Sequence, residues 1–458
     1  MLNFPFTLRP SNFKKRFPHL LGIDIMTEPK KYTLSVAVTL VIANMIGTGV
    51  FTSLGYQVGP IPSGFAILIL WLVGGVVALA GAFTYAEIAT TLKKSGGEYF
   101  YLGKIIHPAL GFVSGWMSLL VGFAGAISAV AIAIGAYSTH MLGLPVKAIA
   151  IVAIVGVSAI HWFGVKTGGR AQTLLTSTKL LLILFFCIAP FFRDEAHLSG
   201  INFLPHAGDW SLIMSPGFAV SLVFVVYAYT GWNAAAYIAG NLKNPSRSLP
   251  RALIAGTLTV VVVYLSLNAM FLYSASFNEL NGQNDIGNVV ALKLFGPRTG
   301  AIFSALFSIA LLSTLSAMTI AGPRVTEAMG EDYPIFKSFT VKNRFDMPYL
   351  AILVQAGWSI LLVVISSFKE IIQYISISLS LFSMATVLSI FYIRKTYPVS
   401  ERPFTMPLYP MPPIVFTVCT CWMIYYVTSD DPKIILYSFG TMVPGLILYF
   451  VASKKKTT

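Results

Sequence analysis

Residues Asn44-Met45-Ile46-Gly47-Thr48-Gly49-Val50-Phe51 lie inside an apolar run extending from Leu34 to Val58. The run is long enough to cross about 30 Å of hydrocarbon as a helix. A lipid-facing helix should not be opened by two glycines, because a bare peptide group in hydrocarbon is costly. The interruption must therefore line a cavity that protein protects. A second such stretch, Tyr227-Ala228-Tyr229-Thr230-Gly231-Trp232-Asn233, falls near the centre of another apolar run. Two interrupted spans fit a fold whose broken helices turn backbone groups toward a bound molecule.

The rest of the chain agrees. Of its 458 residues, 56% are apolar and 10% charged, against roughly 25% charged in a soluble domain. So few charges cannot coat several soluble domains, so the fold class is an all-α polytopic membrane protein. Apolar windows read against Gly, Pro and charge punctuation place twelve transmembrane helices. They lie near 34–58, 64–90, 109–139, 147–163, 171–191, 215–240, 251–275, 299–326, 349–367, 371–393, 411–428 and 433–452.

Most of the 31 Lys and Arg then share the side of the N-terminus, among them Lys93, Lys94, Lys104, Lys166, Arg170, Lys243, Arg247, Arg251, Arg394, Lys395 and Lys454 to Lys456. Lys147, Arg193, Lys293, Arg298, Lys369 and Lys433 fall on the other. The positive-inside bias puts both termini in the cytoplasm. Residues 1–33 lack a signal peptide's layout and read as a cytoplasmic leader, and the lack of a transit peptide favours the cell membrane. Interruptions in the first and sixth spans point to a five-plus-five inverted repeat, 34–192 and 193–394. Residues 395–458 add two helices and a basic tail.

The breaks have a definite chemistry. A half-helix beginning near Thr48 to Val50 offers free N–H groups and a positive dipole end to a carboxylate. Carbonyls around Ile46 and Tyr227 to Tyr229 can accept from an ammonium group. A zwitterionic amino acid fits both. The competing reading of Gly47, Thr48 and Gly49 as a small-residue helix contact loses weight once the partner interruption is counted.

Other classes find little support. The net charge of +14 is spread over short loops, so nucleic acid is not indicated. His19, His107, His140, His161, His197 and His206 are scattered over the leader, loops and ends, which offers neither a metal cluster nor a nucleophile with its base. No enzyme activity, metal or cofactor is expected. Repeated selectivity-filter motifs are absent, which weighs against a channel. Cys187, Cys419 and Cys421 lie in apolar segments and read as packing residues.

Lys179 falls at about mid-depth in a predicted helix, where a lone ammonium is expensive unless it finds acceptors or loses its proton. It can exchange a proton or act as a fixed cation. Glu87 and Glu98 read as ordinary charged caps or gate contacts near Lys93, Lys94 and Lys104.

Five blocks in order resemble the amino acid-polyamine-organocation transporter superfamily, especially its L-type exchanger branch. They are IGTGVF at 46–51, TYAEIATTLKKSGGEYFYLGKIIHPALGFVSGW at 84–116, GVKTGGRAQTLLTSTKL at 164–180, YAYTGWN followed by NLKNPSRSLPRAL at 227–253, and RPFTMPLYPMPP at 402–413. The resemblance implies alternating access, with the substrate carboxylate at Gly47 to Gly49 and the amino group at carbonyls near Ile46, Tyr227, Ala228 and Thr230. Tyr227 stands where relatives often carry a phenylalanine gate. Lys179 would occupy the volume of the sodium site of sodium-coupled relatives, tethering the first break to the eighth span. Its expected acceptors are the Ile42 to Asn44 backbone and Ser313 or Thr314. Many exchangers carry a glutamate pair where this chain has Gly240 and Asn241, which argues against a close relation to cationic amino acid carriers.

The side-chain pocket is expected between Ala228, Thr230 and Asn233, Phe123 to Ile127, and Tyr374 to Ser378, with Gly125 creating room. Thr230 in place of the glycine common in L-type relatives should shrink it, and no carboxylate is placed for a cationic side chain. The expected function is sodium-independent exchange of small to medium neutral L-amino acids. The alternatives are proton-coupled symport through Lys179 and a non-transporting sensor. Expected partners are the amino acid and membrane lipids. The 140–146 loop has no cysteine for a disulfide-linked heavy chain.

Overall fold

The computed structural model describes residues 32–164, 169–188 and 199–454. Most of the leader, Lys166, Arg193, His197 and the tail beyond Lys454 lie outside them. Among the described residues the chain forms α1 (Leu34–Met45), α2 (Gly49–Thr52), α3 (Gly64–Leu92), α4 (Gly97–Ile105), α5 (Pro108–Met117), α6 (Ala124–Leu142), α7 (Val146–Trp162), α8 (Gly169–Ile188) and α9 (Asp209–Ile213). It continues with α10 (Pro216–Tyr229), α11 (Pro245–Ser274), α12 (Phe277–Leu280), α13 (Ile286–Asp332), α14 (Tyr349–Ile365), α15 (Phe368–Thr396), α16 (Met411–Asp430) and α17 (Pro432–Lys454).

Nine helical stretches among the described residues are long and apolar enough to cross a membrane, and Val146–Trp162, Ser177–Ile188 and Tyr349–Ile365 are shorter apolar helices. Large aliphatic side chains face outward, with Leu181 64% and Val364 53% exposed, while Thr52, Gln57, Ser128 and Gln373 are fully buried. Apolar outside and polar within suits lipid as the surrounding solvent. The chain is an all-α multi-pass membrane protein.

Local chemistry sets the helix ends. The Ser63 hydroxyl accepts from the Ala66 N–H at 3.1 Å and opens α3. Ser367 and Glu370 form a capping box that opens α15. Pro216 occupies the first turn of α10, where its missing N–H costs nothing. α5 and α6 are continuous through a π-helical turn, Ser118–Phe123.

Two departures from the sequence reading concern the loops. The stretch after α3, read as a loop, contains α4, whose nine residues are too short and too polar to register as a span. The eighth span belongs to a longer helical stretch from Ile286 that bends at Gly296, where φ is +77°.

The helices pack in two groups. α1 lies against α11, α11 against α3, and α10 against α3. α6 lies against α7, α13 and α14. α8 touches both α11 and α13, and α15 touches α3, α6 and α10, so these two join the groups.

Candidate functional site

The first break is three residues long. α1 closes at Met45, Ile46 leaves helical geometry with ψ 88°, and the helix restarts at Gly49 as α2. Gly47 and Thr48 complete the gap. The second break is displaced from its expected position. α10 stays helical through Tyr229, so Tyr227, Ala228 and Tyr229 are its last turn and the opening covers Thr230 to Asn233. The reason is local: the Thr230 hydroxyl and N–H both donate to the Tyr227 carbonyl, at 2.6 and 3.0 Å, and close the helix end. Gly231 then takes φ +99°, a conformation that a side chain resists, and Ala234–Asn241 resumes as a 3₁₀ helix.

The two breaks lie against each other. A methyl group at Gly49 would fall 2.5 Å from Ala228 Cα, and one at Gly231 would fall 2.9 Å from the Asn44 carbonyl carbon. The Thr48 and Tyr227 hydroxyls share a buried hydrogen bond of 2.9 Å. That bond makes Tyr227 an interhelical contact in this structure.

Tyr264 of α11, a residue the sequence reading passed over, binds both breaks. Its hydroxyl lies 2.6 Å from the Met45 carbonyl and 3.0 Å from the Ala228 carbonyl. Both carbonyls belong to helix ends and lack a partner in their own ladder. A phenol has one proton to donate, so it serves the two acceptors by turns or by sharing.

Lys179 is buried, and its ammonium donates to the Ile46 carbonyl and, at 3.3 Å, to the Thr314 hydroxyl. The tether between the first break and α13 is present, but its backbone acceptor lies beyond the expected Ile42 to Asn44 because α1 runs helically to Met45. Ser313 is buried beside Thr314.

Ile46, Thr48, Gly49, Ala228 and Tyr229 are buried, whereas Gly47, Thr230 and Asn233 are half-buried and Asn44 is exposed. From Val50 to Gly55 every residue is buried. The breaks are thus closed on the α2 side. There the Tyr56 hydroxyl meets Asn284 Oδ1 at 2.5 Å, its ring stacks on Phe224, and the Gly282 N–H donates to the Gly55 carbonyl at 2.8 Å. Gly125 does not widen a pocket, because Ile375 fills the space beside it: a methyl group at Gly125 would fall 3.0 Å from that side chain.

The sequence offered both glutamates as charged caps or gate contacts; Glu87 is no surface cap, and Glu98, in the first turn of α4, is turned inward. Glu87 is fully buried and accepts from Arg394 at 2.9 and 2.7 Å, Arg402 at 2.7 Å and the Met406 N–H at 2.8 Å. This clamp fastens the last turn of α15 and the chain after it to α3. Glu98 is buried too and accepts from Tyr85 at 2.6 Å, Ser383 at 2.7 Å and Asn233 at 3.4 Å. It therefore connects with the second break through a residue expected at the substrate. His161, read as one of several scattered histidines, is buried on α7 and bonds Ser316 at 2.9 Å.

Residues 33–450 match the family model described as amino acid permease. The chain belongs to the amino acid permease family. The permease is 28% identical to the serine/threonine exchanger SteT of Bacillus subtilis (strain 168), over 94% of this chain and 98% of that protein. It is 26% identical to the human cystine/glutamate transporter, over 93% of this chain and 86% of that one. It is also 26% identical to the mouse large neutral amino acids transporter small subunit 2, over 92% and 81% of the two chains. The permease is thus a membrane transporter of the amino acid-polyamine-organocation superfamily with L-type relatives, and not an enzyme.

Proposed function

We propose that the permease exchanges small to medium neutral L-amino acids across the cell membrane, without sodium, by alternating access. The observation that carries this reading is the pair of chain breaks held face to face by Gly49 and Ala228, each with backbone groups left over from its helix. The substrate carboxylate meets the N–H groups of Gly47, Thr48 and Gly49, where α2 begins. The ammonium replaces internal donors at the carbonyls of Ile46, Tyr227, Ala228 and Thr230, while Tyr229 and Asn233 flank the pocket.

The substrate class rests on two supports: the side chain of Thr230 at the break, and the serine and threonine in the name of the Bacillus relative. Sodium independence rests on Lys179, whose ammonium binds the Ile46 carbonyl and Thr314 and stands where an ion would compete for the same acceptors. Ser313 and Thr314 complete that tether.

Twelve crossings with both termini cytoplasmic, and two inverted halves over 34–192 and 193–394, give the carrier its two-sidedness. Tyr227 closes above the substrate. α1 and α10 then tilt against α6, α7, α13 and α14, and the release path runs along the side of Asn44 and Thr230, where the breaks are accessible. Substrate enters from the opposite side when the contacts of Tyr56 and Gly55 with the 282–284 loop part.

The test is uptake of radiolabelled serine and alanine by the full chain in sealed proteoliposomes. Uptake that requires internal amino acid and is not driven by imposed sodium or proton gradients is expected. Gradient-driven uptake into vesicles lacking amino acid would overturn exchange and identify the coupling ion, and saturable binding without flux would make the protein a sensor.

A further inference from the structure

Glu87 and Glu98 stand on either side of one short loop, and their surroundings are opposite. Glu87, with no exposed surface, is neutralised by two guanidinium groups, Arg394 and Arg402. Glu98 is 5% exposed and has no ion pair among the described residues. A buried carboxylate without a cation is costly, and the cost falls when it holds a proton.

The distribution of its hydrogen bonds is uneven. The Tyr85, Ser383 and Asn233 donors all converge on Oε1, and none of the described donors reaches Oε2. Oε1 is taken up by neutral donors, and Oε2, with no donor among the described residues, is the oxygen open to a proton. Outside the membrane-spanning helices, on α4, burial pushes the Glu98 carboxyl above its ordinary range, and the Tyr85 and Ser383 hydrogen bonds counteract only part of this.

The groups around it are neutral at physiological pH. From α3 comes Tyr85; from α4 itself Tyr101, edge-on to Tyr85; from the 3₁₀ helix Tyr237, whose ring packs against Gly97; from α15 Ser383. The charged residues of these elements are engaged elsewhere or exposed: Glu87 with Arg394 and Arg402, Lys104 and Lys395 at the surface. Next to α4, His107 caps α5, its ring accepting from the Ala109 N–H.

Asn233 is the one donor that belongs to the second break. We propose that Glu98 is a proton-binding site of the transport cycle, its Oε2 taking up and releasing a proton as Asn233 moves with the break. The inference rests on the transport reading above. In the present arrangement Asn233 touches Oε1; when the break shifts to admit or release substrate, the carboxyl loses or gains that donor and its hold on the proton changes. The proton comes from and returns to water on the side where Asn233 and Asn44 are accessible, and no other bond changes.

The experiment uses the full chain in proteoliposomes, exchanging labelled serine for internal serine at matched pH on both faces, from mildly acidic to mildly alkaline. A single titrating group should give the wild-type rate a limb whose slope approaches one decade, about tenfold, per pH unit. Glu98→Gln keeps an acceptor oxygen and fixes a neutral side chain, so its exchange should continue with the pH dependence flattened, while Glu98→Asp should shift the dependence and not remove it. Infrared titration of the wild-type protein should show a carboxylic-acid carbonyl band that disappears as pH rises and that Glu98→Gln lacks. A Glu98→Gln profile that titrates like wild type, or a band unchanged by both variants, overturns the proposal. Wild-type protein that exchanges no serine or alanine at any pH overturns the transport reading instead, and the infrared band still decides whether Glu98 holds the proton.

Discussion

The Tyr264 hydroxyl lies 3.0 Å from the Ala228 carbonyl while it also donates to Met45, at 2.6 Å. One phenol proton thus serves the ends of two helices. In the transport cycle proposed above, a substrate ammonium at Ala228 would let Tyr264 give its proton wholly to Met45, so that occupancy of the second break would strengthen the anchor of the first. Tyr264→Phe leaves two buried carbonyls short of a donor, each a loss of about 1–3 kcal/mol. We expect a rise of about tenfold or more in the KM of serine exchange, with a smaller change in maximal rate. Equal loss of both parameters would reduce Tyr264 to packing.

Gly49→Ala places a methyl group 2.5 Å from Ala228 Cα, and backbone cannot yield as a flexible side chain would. Exchange should fall to background while the protein still reaches the membrane. Gly231→Ala combines φ +99° with a clash at the Asn44 carbonyl and should do the same. Surface expression together with uptake separates a blocked site from a misfolded chain.

Glu87 serves two guanidinium groups, which makes its partners unequal to it. Glu87→Leu strands both arginines and should cost about 3–5 kcal/mol, the range for breaking a buried pair. Arg402→Leu leaves Glu87 paired with Arg394 and should cost less. Thermal unfolding in detergent reads the order; a greater loss in Arg402→Leu would contradict the clamp.

Because the folded Glu98 carboxyl binds its proton above the ordinary glutamate range, the native state holds a proton that the unfolded chain has released in the interval between the two values. Its contribution therefore favours folding at low pH and declines as pH rises through that interval. Glu98→Gln should remove this part of the slope in melting temperature against pH. An identical slope in both proteins would mean that the carboxyl is ionised throughout.

Lys179→Met removes the donor shared by Ile46 and Thr314 and leaves the volume filled. If the ammonium substitutes for an ion at the first break, exchange should drop by about tenfold or more, the scale of a lost charge-assisted hydrogen bond. Serine exchange at normal rate in this variant would remove Lys179 from the mechanism.

The polytopic helical class, the two interruptions and the buried lysine were legible in the sequence because each is a local conflict. Gly47 and Gly49 weaken a helix in mid-span, where lipid penalises open backbone, and Lys179 is a charge that lipid rejects; no neighbour along the chain excuses them. The restart of the helix at Gly49 was legible for the same reason. The extent of the second break was not, since Tyr227 to Tyr229 can equally end a helix or lie in a turn; the Thr230 back-bond chose.

The partners of these residues were decided only by tertiary structure. Tyr264 is one tyrosine in a long apolar helix, and nothing in its neighbourhood along the chain marks it as the donor to Met45 and Ala228. Glu87 and Glu98 are eleven positions apart beside the same lysines, yet one meets two guanidinium groups brought from the last turn of α15 and the segment after it, and the other meets neutral donors alone. Sequence determined which residues could not face lipid, because hydrocarbon penalises each polar group on its own. Three-dimensional packing determined what satisfies them, because a hydrogen bond or an ion pair depends on a second residue from a distant part of the chain.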